Sequence, residues 1–197
     1  MRSGLARLRS LPCAQAGVSA TEFGLIAPTL ILLFMAAIDI PRAYTTGRRL
    51  AGAASAMADL ISRSDFGTLA DVYAAARTVA APYDVSSAGI VLTAAGVYQT
   101  PKGYVARVCS SAAQNDQARI PGSALAPVPA GMETNGARYV MAEVKMRYRA
   151  VFTIFPGLNG WRFAYTKIWP VREGVRINGQ EEVVLPGGQP CPATLDS

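Results

Sequence analysis

The order of apolar and polar residues separates a long apolar segment near the N-terminus from a mixed remainder. Residues 23–38 contain no charge, and the segment extended to 18–40 includes Glu22 and Asp39 near its ends. As an α-helix, the extended segment would be about 35 Å long, enough to cross a hydrocarbon core of about 30 Å. We therefore predict a transmembrane helix over 18–40, after a basic leader over 1–17.

Helical spacing continues beyond the apolar segment and predicts a helical region over 41–82. Small residues recur every four positions, at Gly47, Ala51 and Ser55 with Ala54 and Ala58 beside them. This spacing either lets two helix backbones approach closely or reflects the helix propensity of alanine. A second helix follows, with a weak capping box at Thr68 and Asp71 and a stop at Pro82. Its apolar stripe is formed by Phe66, Leu69, Tyr73, Ala76 and Ala80.

From residue 83 the apolar positions alternate, which is typical of β-strands. Four segments have this pattern, namely 90–98, 104–109, 139–150 and 163–169. The first two flank turn residues and predict a hairpin, and the third should place one face on a core and one in water. Helices followed by such strands predict an α+β fold with an antiparallel sheet. We predict a β-rich head over 83–172, with a long loop over 115–136, and an irregular tail over 173–197.

The distribution of charge predicts the orientation of the chain in the membrane and the kind of partner. The leader carries Arg2, Arg7 and Arg9 without an acid, which is half of the formal net charge of +6. Arginines before the span predict a cytoplasmic N-terminus and a head outside, in the periplasm for a bacterial inner-membrane protein. The remaining basic residues form no stripe interleaved with aromatic residues, so we expect no nucleic acid among the partners.

Several chemistries are excluded by composition. The chain has no histidine, which rules out Ser-His-Asp triads, Cys-His dyads and histidine-ligated metals. No two of its three cysteines have CxxC spacing, and Asp59, Asp65, Asp71 and Asp84 are scattered along the chain. We therefore expect no catalytic residue, no metal, no cofactor and no enzymatic activity.

The apolar segment has three other interpretations. A cleaved signal peptide would need small residues just after the apolar run, and Met35-Ala-Ala37 is a poor site. A lipoprotein signal needs its cysteine after the run, whereas Cys13 precedes it. The third interpretation is a plain uncleaved anchor, which the length of the span permits.

A motif stands where the leader meets the span: Gly17-Val-Ser-Ala-Thr-Glu-Phe23. An ionisable side chain in an apolar span is costly and indicates a function, unless Glu22 lies in the solvated interface. Glycine has no side chain, which suits a backbone-tight peptidase site before a cut.

This motif resembles the start of prepilins, and Ala20-Thr-Glu-Phe-Gly-Leu-Ile-Ala-Pro28 resembles TadE/TadG-like proteins of tight-adherence (Flp-type) pilus assembly. The resemblance covers residues 16–172 with decreasing specificity, and Tyr148-Arg-Ala150 lacks a proline frequent in the family. It implies that a prepilin peptidase cuts between Gly17 and Val18. Glu22 and Phe23 then become the fifth and sixth residues, for subunit packing.

In a bundle of such helices, Glu22 could meet the new α-amino group of a neighbour's Val18. The resemblance therefore implies a minor pilin or pseudopilin, anchored in the membrane by one span. Its incorporation into the pilus, or its export, is an open alternative. Its partners would be the prepilin peptidase, the major pilin, other pseudopilins and membrane lipid. The subfamily (TadE, TadF or TadG-like) stays open, as does a capping, priming or bracing role. The alternative is an exported periplasmic or surface binding module with an ordinary signal or anchor.

Two cysteines remain once a leader containing Cys13 is removed. Cys109 ends a predicted strand and Cys191 lies in the tail, both on the oxidising side, where disulfides persist. We predict a disulfide between them, the alternative being a buried and an idle thiol.

Overall fold

The computed structural model describes residues 15–64, 66–125, 127–154 and 157–195, and the side chains of the first helix from Ala20 onward. Most of the predicted leader, with Cys13, lies outside these residues. Within them the chain forms a long N-terminal helix followed by a small domain with an antiparallel sheet, which confirms the predicted α+β fold.

The first helix, α1, runs without interruption over Gln15–Ile61 and is therefore about 70 Å long. The transmembrane helix and the first part of the helical region that the sequence predicts are one element, which contains Pro28 and Pro41. Up to Ile40 its apolar side chains are mostly exposed, and from Ala43 onward one face is buried. The apolar part is long enough to cross a membrane.

The second helix, α2, covers Leu69–Ala80 and begins with the predicted capping box. The Asp71 amide donates to Thr68 Oγ1, and the Thr68 amide donates to Asp71 Oδ2. The Thr68 hydroxyl also donates to Asp71 Oδ2, and this bond, together with the one from the Thr68 amide, lowers the pKa of Asp71. The buried residues of α2 are Val72, Tyr73, Ala76 and Ala80, of which the last three belong to the predicted stripe and Val72 does not.

Five strands form one antiparallel sheet in the order β3-β2-β1-β4-β5. Their bounds are Gly89–Thr100 for β1, Gly103–Gln114 for β2, Ala124–Leu125 for β3, Arg138–Arg147 for β4 and Arg162–Pro170 for β5. The hairpin and both late strands were predicted, but β4 ends three residues early and the loop over 115–136 contains β3. The edge strand β5 runs beside α1.

The small residues of α1 let it approach the sheet and α2 of its own chain. A Cβ atom at Gly47 would lie 2.7 Å from Tyr165 Oη and 3.1 Å from Phe163 Cε1, too close for a side chain. Ala54 and Ala58 are fully buried in the main core. Close packing against other parts of the same chain therefore accounts for Gly47, Ala54 and Ala58. For the half-buried Ala51 and Ser55 both explanations stay open.

The outer face of β4 differs from the prediction. Tyr139 and Met141, which the alternation placed in water, are buried. The loop before β4 folds back and covers them with apolar side chains such as Leu125 and Met132. Alternation within a strand reveals its two faces. Whether the second face is exposed to water depends on what covers it, which here is the preceding loop.

The tail is more ordered than predicted. A second, two-stranded sheet pairs β6, Val175–Ile177, with β7, Gln180–Glu182. Val183 and Leu185 then enter the main core. Glycine, proline and few apolar residues after Arg172 predict an irregular tail, whereas the structure orders it through a hairpin, two core residues and the Cys109–Cys191 disulfide.

Candidate functional site

The predicted processing and packing residues lie at the free end of α1, away from the sheet. Gly17 and Val18 belong to the helix, although their side chains are outside the described part of the chain. Glu22 and Phe23 are exposed, Phe23 to 70%. Glu22 forms no salt bridge or hydrogen bond with any residue whose side chain is described, so its carboxylate is available to another molecule.

Asp39, the second acid of the apolar segment, is bound within the chain, unlike Glu22. Asp39 is fully buried, and its carboxylate accepts hydrogen bonds from the amides of Val151 at 2.9 Å and Phe152 at 3.0 Å. The Tyr148 hydroxyl donates to the Asp39 carbonyl at 3.3 Å. Asp39 thus attaches the loop between β4 and β5, here called the β4–β5 loop (its described residues, 148–154 and 157–161), to the helix where the apolar segment ends.

Sequence reasoning placed Asp39 at the end of the span but assigned it no role. The available signal was the one used for Glu22, because a charge beside an apolar span needs a partner. The partners are amides more than 100 residues away, and no pattern in the sequence identifies them.

Aromatic and basic groups surround the contact between Asp39 and the β4–β5 loop, here called the junction. Burial raises the pKa of Tyr148, and the neighbouring Asp39 carboxylate adds to the shift, so the phenol keeps the proton that it donates. The Tyr83 hydroxyl donates to Thr45 Oγ1 at 2.8 Å, and the Arg42 guanidinium lies over the Tyr83 ring. The first turns of α1 beyond Asp39 are therefore held to the head by polar contacts.

An apolar groove opens between α1 and β5, beside the junction. Its volume is about 380 Å³. Its floor includes Gly47, and its walls are formed by Ile40, Ala43, Tyr44, Arg48, Ala51, Leu158, Trp161, Phe163 and Tyr165. The Trp161, Phe163 and Tyr165 rings are stacked, with neighbouring centroids 6.1 and 6.3 Å apart.

At the far end of the head, the tail is attached by a disulfide and a buried ion pair. Cys109 and Cys191 are joined, with their Cα atoms 4.7 Å apart. Glu182 accepts from Arg138 Nε at 2.9 Å and from the Cys191 amide at 2.9 Å. Both carboxylate oxygens are thereby used in holding the tail. Among the described residues, no group of three or more His, Cys, Asp or Glu is placed to hold a metal ion.

Comparison with known proteins identifies the segment that carries the exposed motif. Residues 17–59 match a family model described as TadE-like protein. This segment is similar to TadE-like proteins. The match begins at the predicted processing glycine and ends just before α1 does, and it connects the chain with Tad pilus assembly. It confirms the resemblance for the anchor helix, whereas the resemblance of the late strands stays a prediction.

No curated protein and no solved structure matches the chain. The head, which lies almost entirely outside the TadE-like segment, is therefore interpreted from its own geometry.

Proposed function

We propose that this chain is a minor pilin or pseudopilin: a structural, non-enzymatic component of tight-adherence pilus assembly, anchored in the bacterial inner membrane by α1. A prepilin peptidase cuts it between Gly17 and Val18, and the exposed helix then packs with the major pilin and other pseudopilins. The observation that carries this proposal is the TadE-like match over an exposed apolar helix that begins with the prepilin-like motif.

The contrast between the two acids of the anchor supports a packing role for Glu22. Asp39 is satisfied within the chain, whereas Glu22 is exposed in an apolar helix. An unpaired carboxylate at membrane depth is costly, so it favours a partner from outside the chain. The α-amino group of a neighbour's Val18 is a cation of the right kind, and the processing step creates it.

The orientation of the chain across the membrane is inferred from the disulfide more than from the arginines. Three arginines precede the span, and Arg42, Arg48 and Arg49 follow it closely, so the arginine count is balanced. Disulfides persist in oxidising compartments and are rare in the cytoplasm. The Cys109–Cys191 bridge therefore favours a periplasmic head and a cytoplasmic N-terminus.

Mass spectrometry of chain extracted from membranes tests the processing step. We expect a chain that starts at Val18, and uncut chain in Gly17→Val, because a branched side chain beside the cut obstructs a backbone-tight site. Gly24→Val is the matched control, since an added Cβ atom there meets nothing within 4 Å. A start at or beyond Ile38 would show that a signal peptidase removes the helix, and would refute the proposal.

Glu22 is tested in the same strain by counting assembled pili. Glu22→Gln keeps the shape and removes the charge, so insertion should persist while assembly is lost. Glu133→Gln, in an exposed loop of the head, is the control. Normal piliation in Glu22→Gln would assign the carboxylate to the solvated interface and contradict the packing role.

A further inference from the structure

The end of the head nearest the apolar part of α1 carries unpaired positive charge. Besides Arg42, which lies over the Tyr83 ring, five arginines lie there: Arg48, Arg49, Arg147, Arg149 and Arg162. All five are exposed, and none forms a salt bridge with a residue in the described part of the chain. In the rest of the sheet, Arg138 and Lys145 are paired with Glu182 and Asp116, whereas Arg107 and Lys167 have no salt bridge among the described residues. What distinguishes this end of the head is that several arginines without a salt bridge lie together there.

Two of these arginines lie opposite each other. Arg147 and Arg162 are register partners where β4 and β5 meet the β4–β5 loop. Like charges in directly opposed positions destabilise a sheet. An anion bound between them would remove that repulsion, so the pair points to a negatively charged ligand.

Exposed apolar side chains lie beside the arginines. In the β4–β5 loop, Val151 and Ile154 are each 50% exposed and Trp161 is 54% exposed. Tyr44, across the groove on α1, is 66% exposed. Tryptophan and tyrosine are enriched at membrane–water interfaces, and arginine reaches lipid headgroups from nearby positions.

The junction fixes the height of this surface relative to the apolar helix. The amides of Val151 and Phe152 bond to Asp39, so the loop lies level with the end of the span. Trp161 lines the groove with Ile40 and Tyr44, which are within about 8 Å of Asp39 along the helix axis. That distance corresponds to the headgroup layer outside the hydrocarbon core.

We propose that the β4–β5 loop and its flanking arginines rest on the bilayer that holds α1, with the arginines on the phosphates of anionic phospholipids and Trp161 at the interface. This inference rests on the proposed function, because it needs α1 to span the membrane. The bilayer is favoured over a second copy of this chain as the occupant. A symmetric contact through this surface would bring the same unpaired arginines of both copies together.

The two tryptophans of the chain provide a built-in depth measurement. Trp169 packs on Arg172, whose amide donates to the carbonyl of Ser62, and Ser62 is about 35 Å beyond Asp39 along α1. Trp169→Phe therefore leaves one tryptophan at the proposed interface, and Trp161→Phe leaves one far from it. Both changes keep an aromatic ring in place.

Full-length chain is reconstituted into vesicles of phosphatidylcholine mixed with phosphatidylglycerol, with and without lipid brominated near the headgroup. We expect bromine to quench most of the emission of Trp169→Phe, and to leave that of Trp161→Phe nearly unchanged. Equal quenching of the two variants, or of neither, overturns the proposal. The proposal is also overturned if bromine does not quench Trp161 and its emission changes with the ratio of protein to lipid, because a second copy of the chain would then occupy the surface.

The arginines are tested in the Trp169→Phe background. Replacing Arg147, Arg149 and Arg162 by glutamine should reduce quenching in the anionic vesicles to the level seen in pure phosphatidylcholine. Arg176→Gln, on the distal hairpin, should have no effect. If quenching is the same with and without phosphatidylglycerol, and the same with and without the three arginines, the role of anionic lipid is overturned.

Extraction with alkaline carbonate separates this inference from the function on which it rests. Chain that resists extraction but shows no quenching of Trp161 overturns the lipid contact and leaves the anchor intact. Chain that carbonate strips from the vesicles overturns both.

Discussion

Removing the Asp39 carboxylate should release the β4–β5 loop from α1 while the rest of the head stays folded. In Asp39→Ala, the amides of Val151 and Phe152 lose their acceptors. Asp39→Asn keeps one acceptor oxygen in nearly the same shape and removes the charge. Because Asp39→Asn loses the charge and one acceptor together, comparing the two variants isolates the contribution of the one hydrogen bond that the asparagine can keep.

The size of the effect follows from the two bonds. A hydrogen bond to a charged group contributes about 1.5–3 kcal/mol. Val151 is half exposed, so water partly replaces the lost acceptor, and the lower value is appropriate. Asp39→Ala should therefore favour loop opening by about 3 kcal/mol, or roughly 100-fold, and Asp39→Asn by about half of that free energy.

Hydrogen exchange read at individual amides measures this opening. We expect the amides of Val151 and Phe152 to exchange roughly 100-fold faster in Asp39→Ala, with the Leu92 amide of the central strand β1 unaffected. Asp59→Ala is the matched control, because it removes another aspartate of α1 whose ion pairs are partly exposed and worth at most about 1 kcal/mol. Unchanged exchange at the two loop amides would refute the reasoning, and equal acceleration at Leu92 would show that Asp39 supports the whole head.

Two further predictions concern the head. The Cys109–Cys191 bridge spans a sequence separation of 82, so Cys109→Ala with Cys191→Ala should lower the free energy of unfolding by about 4.5 kcal/mol in the chain-entropy account. Urea unfolding in detergent measures this loss, and a wild-type chain whose midpoint ignores reductant would contradict it. Burial raises the pKa of Tyr139 to about 12, so its neutral phenol contributes stability that is complete below the unfolded pKa of about 10 and is lost as the pH rises through 12. Titration of phenolate absorbance should show this late tyrosine in wild type and not in Tyr139→Phe; identical curves would mean that Tyr139 is accessible to water.

The anchor could be predicted from sequence because its determinants are local. A long uncharged run, a helical period and the spacing of Gly17, Glu22 and Phe23 are each visible within a few turns of the chain. The hairpin and the late strands were predictable for the same reason, since alternation and turn residues act over short distances. The ends of the strands and the ordered structure of the tail were less predictable, because pairing and packing with distant residues decide them.

Contacts between distant parts of the chain required the tertiary structure. Asp39 and Glu22 have similar sequence contexts, yet one binds two amides of the β4–β5 loop and the other is exposed. Spacing along one strand cannot show that Arg147 lies opposite Arg162, because that depends on the register with another strand. By itself the sequence determined that this chain has a long apolar helix with a prepilin-like start and an α+β fold. Only the tertiary structure decided which charges are satisfied internally and which are left for other molecules, because a charge is satisfied by whatever the fold brings within hydrogen-bonding distance.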